Sequence, residues 1–248
     1  SILAYTREAI TPDVCSDVEV IGWLYQFYIA EKKDEVFEGI KKNKKVTPEN
    51  IPAATQLFTP NWIVRYMVQN SLGRLWKQNH PDSKLAMEYY IEPETKESDY
   101  LKISSPKELK ICDPACGSGH ILVYAFDLLY EIYKEAGFSD DDDIIENILT
   151  HNLYGIEIDE RASELASFAL TMKAAAKSSS KRRFFKKQTS PNICKLEVIK
   201  FESDEIKSYM DAVGRDLFTA DLQETLKQFE EADNFGSLIV PKVQNVES

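Results

Sequence analysis

The sequence predicts an α/β fold, a parallel sheet with helices packed against it, preceded by a helical region. Three observations carry this reading. Two short apolar runs, Leu109 to Cys112 and Leu153 to Ile158, have the length and composition of buried strands. Each leads into a segment with helical spacing, Ile121 to Ala136 and the Ala-rich Glu160 to Lys177. A glycine turn joins the first run to its helix. Strand, helix, strand, helix in succession implies parallel strands joined by right-handed crossovers.

The remaining elements follow in chain order. Ser16 and Glu19 form a capping box, with Val20, Trp23, Leu24, Phe27 and Tyr28 at helical spacing behind it. The next stretch, EKKDEVFEGIKKNKK, is charged and reads as solvated. Thr59 and Pro60 read as the N-cap and first residue of a second helix, whose apolar face holds Ile63, Val64, Met67, Val68, Leu72, Leu75 and Trp76. It stops before Pro81. Residues 81–108 are polar, contain Pro93 and Pro106, and read as an irregular excursion. Asp140 to Asp143 stand where the N-terminus of a short helix (Ile144, Ile145, Ile148, Leu149) favours negative charge; attraction for a divalent cation is the other reading. Asn192 to Ile199 is a candidate third strand, and Phe218, Leu222, Leu226 and Phe229 fall at helical spacing beyond it.

Composition narrows the class. A chain of 248 residues, 43% of them hydrophobic, has enough apolar surface for a buried core. Nine Gly and ten Pro are too few for a collagen-like or low-complexity chain. No apolar run approaches the ~20 residues that cross a bilayer, and the opening residues carry no signal-peptide pattern. A soluble protein without a membrane partner is expected. Cys15, Cys112, Cys116 and Cys194 form no regular framework, which suits a reducing compartment, so a cytoplasmic location is expected. The net charge of −11 at first argues against a nucleic-acid partner. Yet residues 201–233 hold ten acids against three bases and account for −7 of it. Elsewhere Lys177, Lys181, Arg182, Arg183, Lys186 and Lys187 form a basic cluster with no acid between them, either a solvated loop or a phosphate contact.

The segment DPACGSGH, Asp113 to His120, is the most informative. Gly117 and Gly119 let the backbone turn sharply and approach a ligand closely. The helix behind them presents free N–H groups and positive potential. Asp113, at the carboxyl end of the strand, can accept hydrogen bonds from a cationic amine, so a ligand with both an amine and a carboxylate suits the turn. A phosphate-binding Walker loop needs a Lys after the last glycine, and none follows Gly119. The dinucleotide pattern G-x-G-x-x-G has Leu122 in its third place. Cys112, Cys116 and His120 recur every four residues, a metal-ligand spacing on continuous helix, but the glycine turn interrupts it. The second strand ends in Gly155, Ile156, Glu157, Ile158, Asp159, where an acid beside the glycine loop can hold ribose hydroxyls; Glu157 is the candidate. Ile158 either packs on an adenine face or belongs to the core.

These residues resemble an S-adenosylmethionine-dependent methyltransferase. DPACGSGH is similar to motif I of the N6-adenine DNA methyltransferases, and GIEID to their motif II. Gln56, Leu57, Phe58, Thr59, Pro60 resembles motif X, which in the gamma motif order precedes motif I. The segments IGWLYQFYI, TQLFTPNWIVRYMVQNSLGRLW, RRFF, PNI and FGSLI are similar to the adenine-specific methyltransferases of bacteriophage-exclusion (BREX, PglX-type) systems and to related type IIG restriction–modification enzymes. The resemblance implies a Rossmann-like methyltransferase core over residues 55–200, between an N-terminal helical region (1–54) and an acidic helical segment (201–248). It places Phe58 and Thr59 beside the methionine moiety and Asp113 on its amino group. Ala115, Gly117 and Gly119 fall along the cofactor, with Glu157 and Ile158 at its ribose and adenine. Double-stranded DNA, and other subunits of a defence system, are the implied partners.

One departure matters. The family's catalytic motif IV, Asn/Asp-Pro-Pro-Tyr/Phe, holds the extruded adenine by its amino group, and this sequence has no Pro-Pro pair. Motif III has no sharp counterpart, Glu197 being the nearest. The expectation is therefore an N-terminal fragment with most of the cofactor pocket and no catalytic residues, unable to methylate DNA alone. A methyltransferase of the same core acting on RNA or protein, and a non-catalytic cofactor-binding or interaction module, are the alternatives.

Overall fold

The computed structural model describes residues 11, 19–47, 50–55, 59–94, 99–187 and 189–197, with isolated positions 202, 204–205, 208, 228–229 and 240 beyond them. Ser16, Phe58 and nearly all of the acidic segment 201–233 lie outside the described residues.

Helix α1 (Glu19–Lys41) continues through most of the charged stretch expected only to be solvated. Its Ala, Lys and Glu are strong helix formers. A short α2 (Ile51–Thr55) packs back on it. Next, α3 (Asn61–Val68) runs through a π-helical turn, Gln69–Gly73, into α4 (Arg74–Asn79). Pro60, not Thr59, occupies the cap position: its extended ψ of 141° keeps it outside the helix, while its carbonyl accepts the Ile63 and Val64 N–H groups. Val64, Val68, Leu72 and Trp76 are buried at strides of four. That stride drifts by ~40° per step on a regular α-helix. The wider π turn removes part of the drift and keeps Trp76 under the core. Met67, expected on this face, points outward instead.

Amide side chains from this helical run hold the irregular excursion that follows it. Gln69 accepts the Tyr89 N–H (2.6 Å), Asn70 accepts from Ile91 (2.9 Å) and Asn79 from Ile103 (3.1 Å). Trp76 Nε1, Ser83 Oγ and the Lys84 N–H all donate to Glu135. Burial raises the Glu135 carboxyl, but these three donors outweigh it and hold the group below the ordinary value.

Among the described residues the sheet has three parallel strands in the order β1 (Ile111–Asp113), β2 (Leu153–Glu157), β3 (Asn192–Lys195). Asp113 pairs with Gly155, and Glu157 with Lys195. Asn152, fully buried, fixes the entry to β1: it donates to Pro106 O (2.8 Å) and Leu109 O (2.6 Å) and accepts from the Tyr133 hydroxyl (2.9 Å). Central to the fold is α5 (His120–Glu135), enclosed by α3, the sheet and α7 (Glu160–Lys177). Nine of its sixteen residues are buried, as expected of a helix apolar on most sides. The small residues Ala162, Ala166, Ala169 and Ala174 let α7 lie close against it. Between them, α6 (Asp141–Asn147) starts at Asp140, whose carboxylate caps the Asp142 and Asp143 N–H groups, and ends in a second π turn, Ile148–Asn152. The basic cluster falls at the end of α7 (Lys177) and in a short helix, α8 (Lys181–Lys187), rather than in a loop. Phe184 packs against the core, Lys187 pairs with Glu146, and Arg183 lies 4.0 Å from Asp142.

Candidate functional site

The site is built where β1 ends. Asp113 is 9% exposed. Its Oδ1 accepts the Ala115 N–H (3.2 Å), while its Oδ2 is buried with no hydrogen-bond partner among the described residues. Burial, with a smaller contribution from the Glu157 charge, raises its pKa above the ordinary carboxylate value against the pull of the Ala115 N–H. A buried acceptor left open this way is uncommon in folded proteins and calls for a donor from outside the chain.

The glycine turn follows directly. Cys116 N–H donates to Ile156 O (3.0 Å), extending the sheet ladder past the end of β1. The two glycines do different work. At Gly117 (φ +54°) an added Cβ would meet nothing within 4 Å, so the backbone faces open space. At Gly119 (φ +86°) a Cβ would lie 3.0 Å from the Ala166 Cβ and 3.1 Å from its Cα, so that glycine is required by the close passage of α7. Behind the turn α5 begins at His120 with no side-chain cap among the described residues, and the positive end of its dipole faces the turn.

Glu157 reaches the turn from β2. Its Oε2 accepts the Gly117 N–H (2.7 Å) and its Oε1 accepts those of Ile158 and Asp159 (both 3.0 Å). It is buried, and it ties the turn to the start of α7. Asp159 caps that helix through the Arg161 and Ala162 N–H groups. Ile158 is 38% exposed, which excludes the core reading for it.

A cavity of about 250 Å³ opens over these groups. Thr59, Asp113, Ala115 and Gly117 line it, as do Cys116, Ser118 and His120. Its other wall was not anticipated: Gly22, Tyr25, Ile29, Ala30 and Lys33 of α1. A Cβ at Gly22 would fall 2.1 Å from the His120 Nε2, so α1 crosses directly against the start of α5. The Tyr25 hydroxyl donates to Asp159 Oδ2 (3.1 Å) and fixes the crossing. An isolated glycine within a helical pattern, as at Gly22, is compatible with such a close crossing but does not announce it, since Gly39 in the same helix has no comparable contact. Gly119, Glu157 and Ile158 are not among the described lining residues. Glu197 is exposed beyond β3.

Cys116 is buried, and burial together with the charges of Glu157 and Asp113 pushes its thiol up to about 12. A neutral thiol packed against Gly155 is a filler, not a nucleophile. Among the described residues no three His, Cys, Asp or Glu side chains converge as a metal-ligand set. No helix there is long and apolar enough to cross a membrane.

Residues 95–198 match the family model described as "MmeI, DNA-methyltransferase domain". The adenine-specific methyltransferase BrxX of Escherichia coli O9:H4 (strain HS) is 42% identical over 270 aligned residues, covering 96% of this chain and 22% of the relative. The adenine-specific methyltransferase PglX of Lacticaseibacillus casei (strain Zhang) is 38% identical over 242, covering 92% and 19%. The chain thus spans about a fifth of the length of the curated relatives it matches. Nearly all of it is homologous to part of these adenine-specific methyltransferases, and its residues 95–198 match the DNA-methyltransferase domain family.

Proposed function

We propose that this chain forms the S-adenosylmethionine pocket of an adenine-N6 DNA methyltransferase of a phage-defence or restriction–modification system. The observation that carries the reading is the Asp113 carboxylate, buried at the end of β1 with Oδ2 open among the described residues and a cavity above it. A ligand ammonium there supplies the missing donor and neutralises a charge that burial disfavours. Gly117 leaves room for close approach to the turn, and Thr59 borders the same space. Three backbone N–H groups already engage Glu157, yet Oε2 accepts only one of them among the described residues, which leaves capacity for a ribose hydroxyl. Ile158 offers an exposed apolar surface for an adenine ring. Gly119 serves the site by setting the turn. We assign Phe58 to the methionine end as well, on its place in the motif.

When bound, the cofactor supplies a methyl group already activated by its sulfonium charge, so the chain's own residues need only bind and orient it. The group that would hold a target adenine is not among these 248 residues, which contain no Pro-Pro pair. The further strands of a doubly wound Rossmann-like sheet would pair on the edge of β1 that is unpaired among the described residues and carry it there. Calorimetry with S-adenosylhomocysteine tests the reading. Binding by the wild-type chain that drops about a hundredfold in Asp113→Ala supports it; equal affinity in the two, with the fold intact, would overturn it.

A further inference from the structure

A ligand whose ammonium sits on Asp113 carries a carboxylate on the same carbon, and that charge also has to be compensated where the cavity removes it from water. Among the described lining residues, Asp113 and Lys33 carry the fixed charges, one acid and one cation. Lys33 belongs to the stripe Gly22, Tyr25, Ile29, Lys33, whose spacing of three, four and four puts all of them on one face of α1. The direction of that face is set independently of Lys33, by the seat of Gly22 against His120 and by the Tyr25–Asp159 hydrogen bond. The Lys33 ammonium also lies 6.0 Å from the Phe37 ring centroid, on the side of the stripe away from Gly22.

From this arrangement we infer that α1 is part of the cofactor site, and that Lys33 is the specificity-determining residue that binds the ligand's carboxylate. The inference rests on the S-adenosylmethionine reading above. A flexible ammonium with three donors lines the same cavity as Asp113, and its whole charge exceeds the partial charge of a helix end. Recognition of the amino-acid end is then divided between two distant parts of the sequence, Asp113 at the end of β1 for the ammonium and Lys33 on α1 for the carboxylate.

The test compares two ligands on the full chain by calorimetry: S-adenosylhomocysteine, and the analogue 5′-deoxy-5′-(3-aminopropylthio)adenosine, which keeps the amine and lacks the carboxylate. Lys33→Met is expected to weaken S-adenosylhomocysteine roughly ten- to a hundredfold and to leave the analogue unchanged. Lys33→Arg, which keeps the charge, should stay within a few-fold of wild type on both. Equal weakening of both ligands by Lys33→Met would show that Lys33 acts by seating α1 and would overturn the carboxylate assignment. No change on either ligand would overturn it too, while the cofactor reading stands. If the wild-type chain binds neither ligand, the cofactor reading fails and takes this inference with it.

Discussion

Carboxylates sit at both ends of α7, roughly 27 Å apart by its eighteen residues, and Asp113 at one end is in the opposite state to Asp140, Asp141 and Asp142 at the other. At the far end, Asp140 caps α6, Asp141 accepts from Tyr130 (2.7 Å) and pairs with Lys134, and Asp142 accepts from both Ser178 and Ser179. The Lys134 and Tyr130 donors hold Asp141 below the ordinary carboxylate value, and the Ser178 and Ser179 hydroxyls do the same for Asp142. At the near end, Asp113 is buried, raised, and open at Oδ2 among the described residues. Four aspartates in a row are the louder signal in the sequence, yet the carboxylates of Asp140, Asp141 and Asp142 are consumed by structure. What separates a binding site from a cap is how far each carboxylate is already partnered, and charge density does not report that.

The strongest way to break this comparison is Asp113→Asn. The amide keeps the size but removes the charge and turns one acceptor into a donor, so affinity for S-adenosylhomocysteine should fall about a hundredfold in a titration. Stability should not fall with it. Because Asp113 titrates above its ordinary value when folded, its ionisation opposes folding at neutral pH, and the neutral variant should unfold at the same or a higher urea concentration. A clear loss of stability would mean that Asp113 is a structural acid like those at the other end of α7.

Acidification should separate the two ends in the same way. Protonating Asp113 removes the acceptor an ammonium needs, so ligand affinity should decline, at most about tenfold per pH unit, as pH falls through a value above the ordinary carboxylate range. The fold gains from that same protonation. Asp141 and Asp142, with lowered values, stabilise the fold above the ordinary range and release that contribution only as pH falls through their own lower values. Affinity lost before stability, and no such decline in Asp113→Asn, is the expected pattern. Coincident loss would contradict it.

The near end was largely legible in the sequence because its signals are local. A short apolar run, two glycines and a helical period lie within about thirty residues, and the structure builds them into β1, the turn and α5. Long-range partners were not legible. The wall that α1 adds to the cavity depends on a tertiary crossing at which Gly22 meets His120, and the polar excursion is held by amides about twenty residues away in sequence. The basic cluster was open between a solvated loop and a phosphate contact. Its helical state follows from Phe184, whose packing against the core cannot be read from six cations.

Glu157→Gln sharpens the comparison from the other acid at the near end. Both of its oxygens accept backbone N–H groups, and a glutamine NH₂ in place of either oxygen faces a donor. Leaving one such buried donor unmet costs about 1–3 kcal/mol. Denaturation should show that loss, with weaker ligand binding as the turn loosens. Full stability in this variant would remove Glu157 as the tie between the turn and α7.

Asp140→Ala should have the smallest effect and is the sharpest control. Its carboxylate accepts the Asp142 and Asp143 N–H groups at 2.9 and 3.2 Å, an N-cap whose removal typically costs about 1 kcal/mol. Urea denaturation should therefore show a lower midpoint with an unchanged slope, because the fold and its buried surface are otherwise the same. Ligand affinity should not change, since the cap and the pocket share no side chain and stand at opposite ends of α7. A shift in affinity would mean that α7 transmits the position of its far end to the glycine turn through the Ala166–Gly119 contact, where there is no slack for a helix displacement to be absorbed. In that case the acidic end would belong to the site after all.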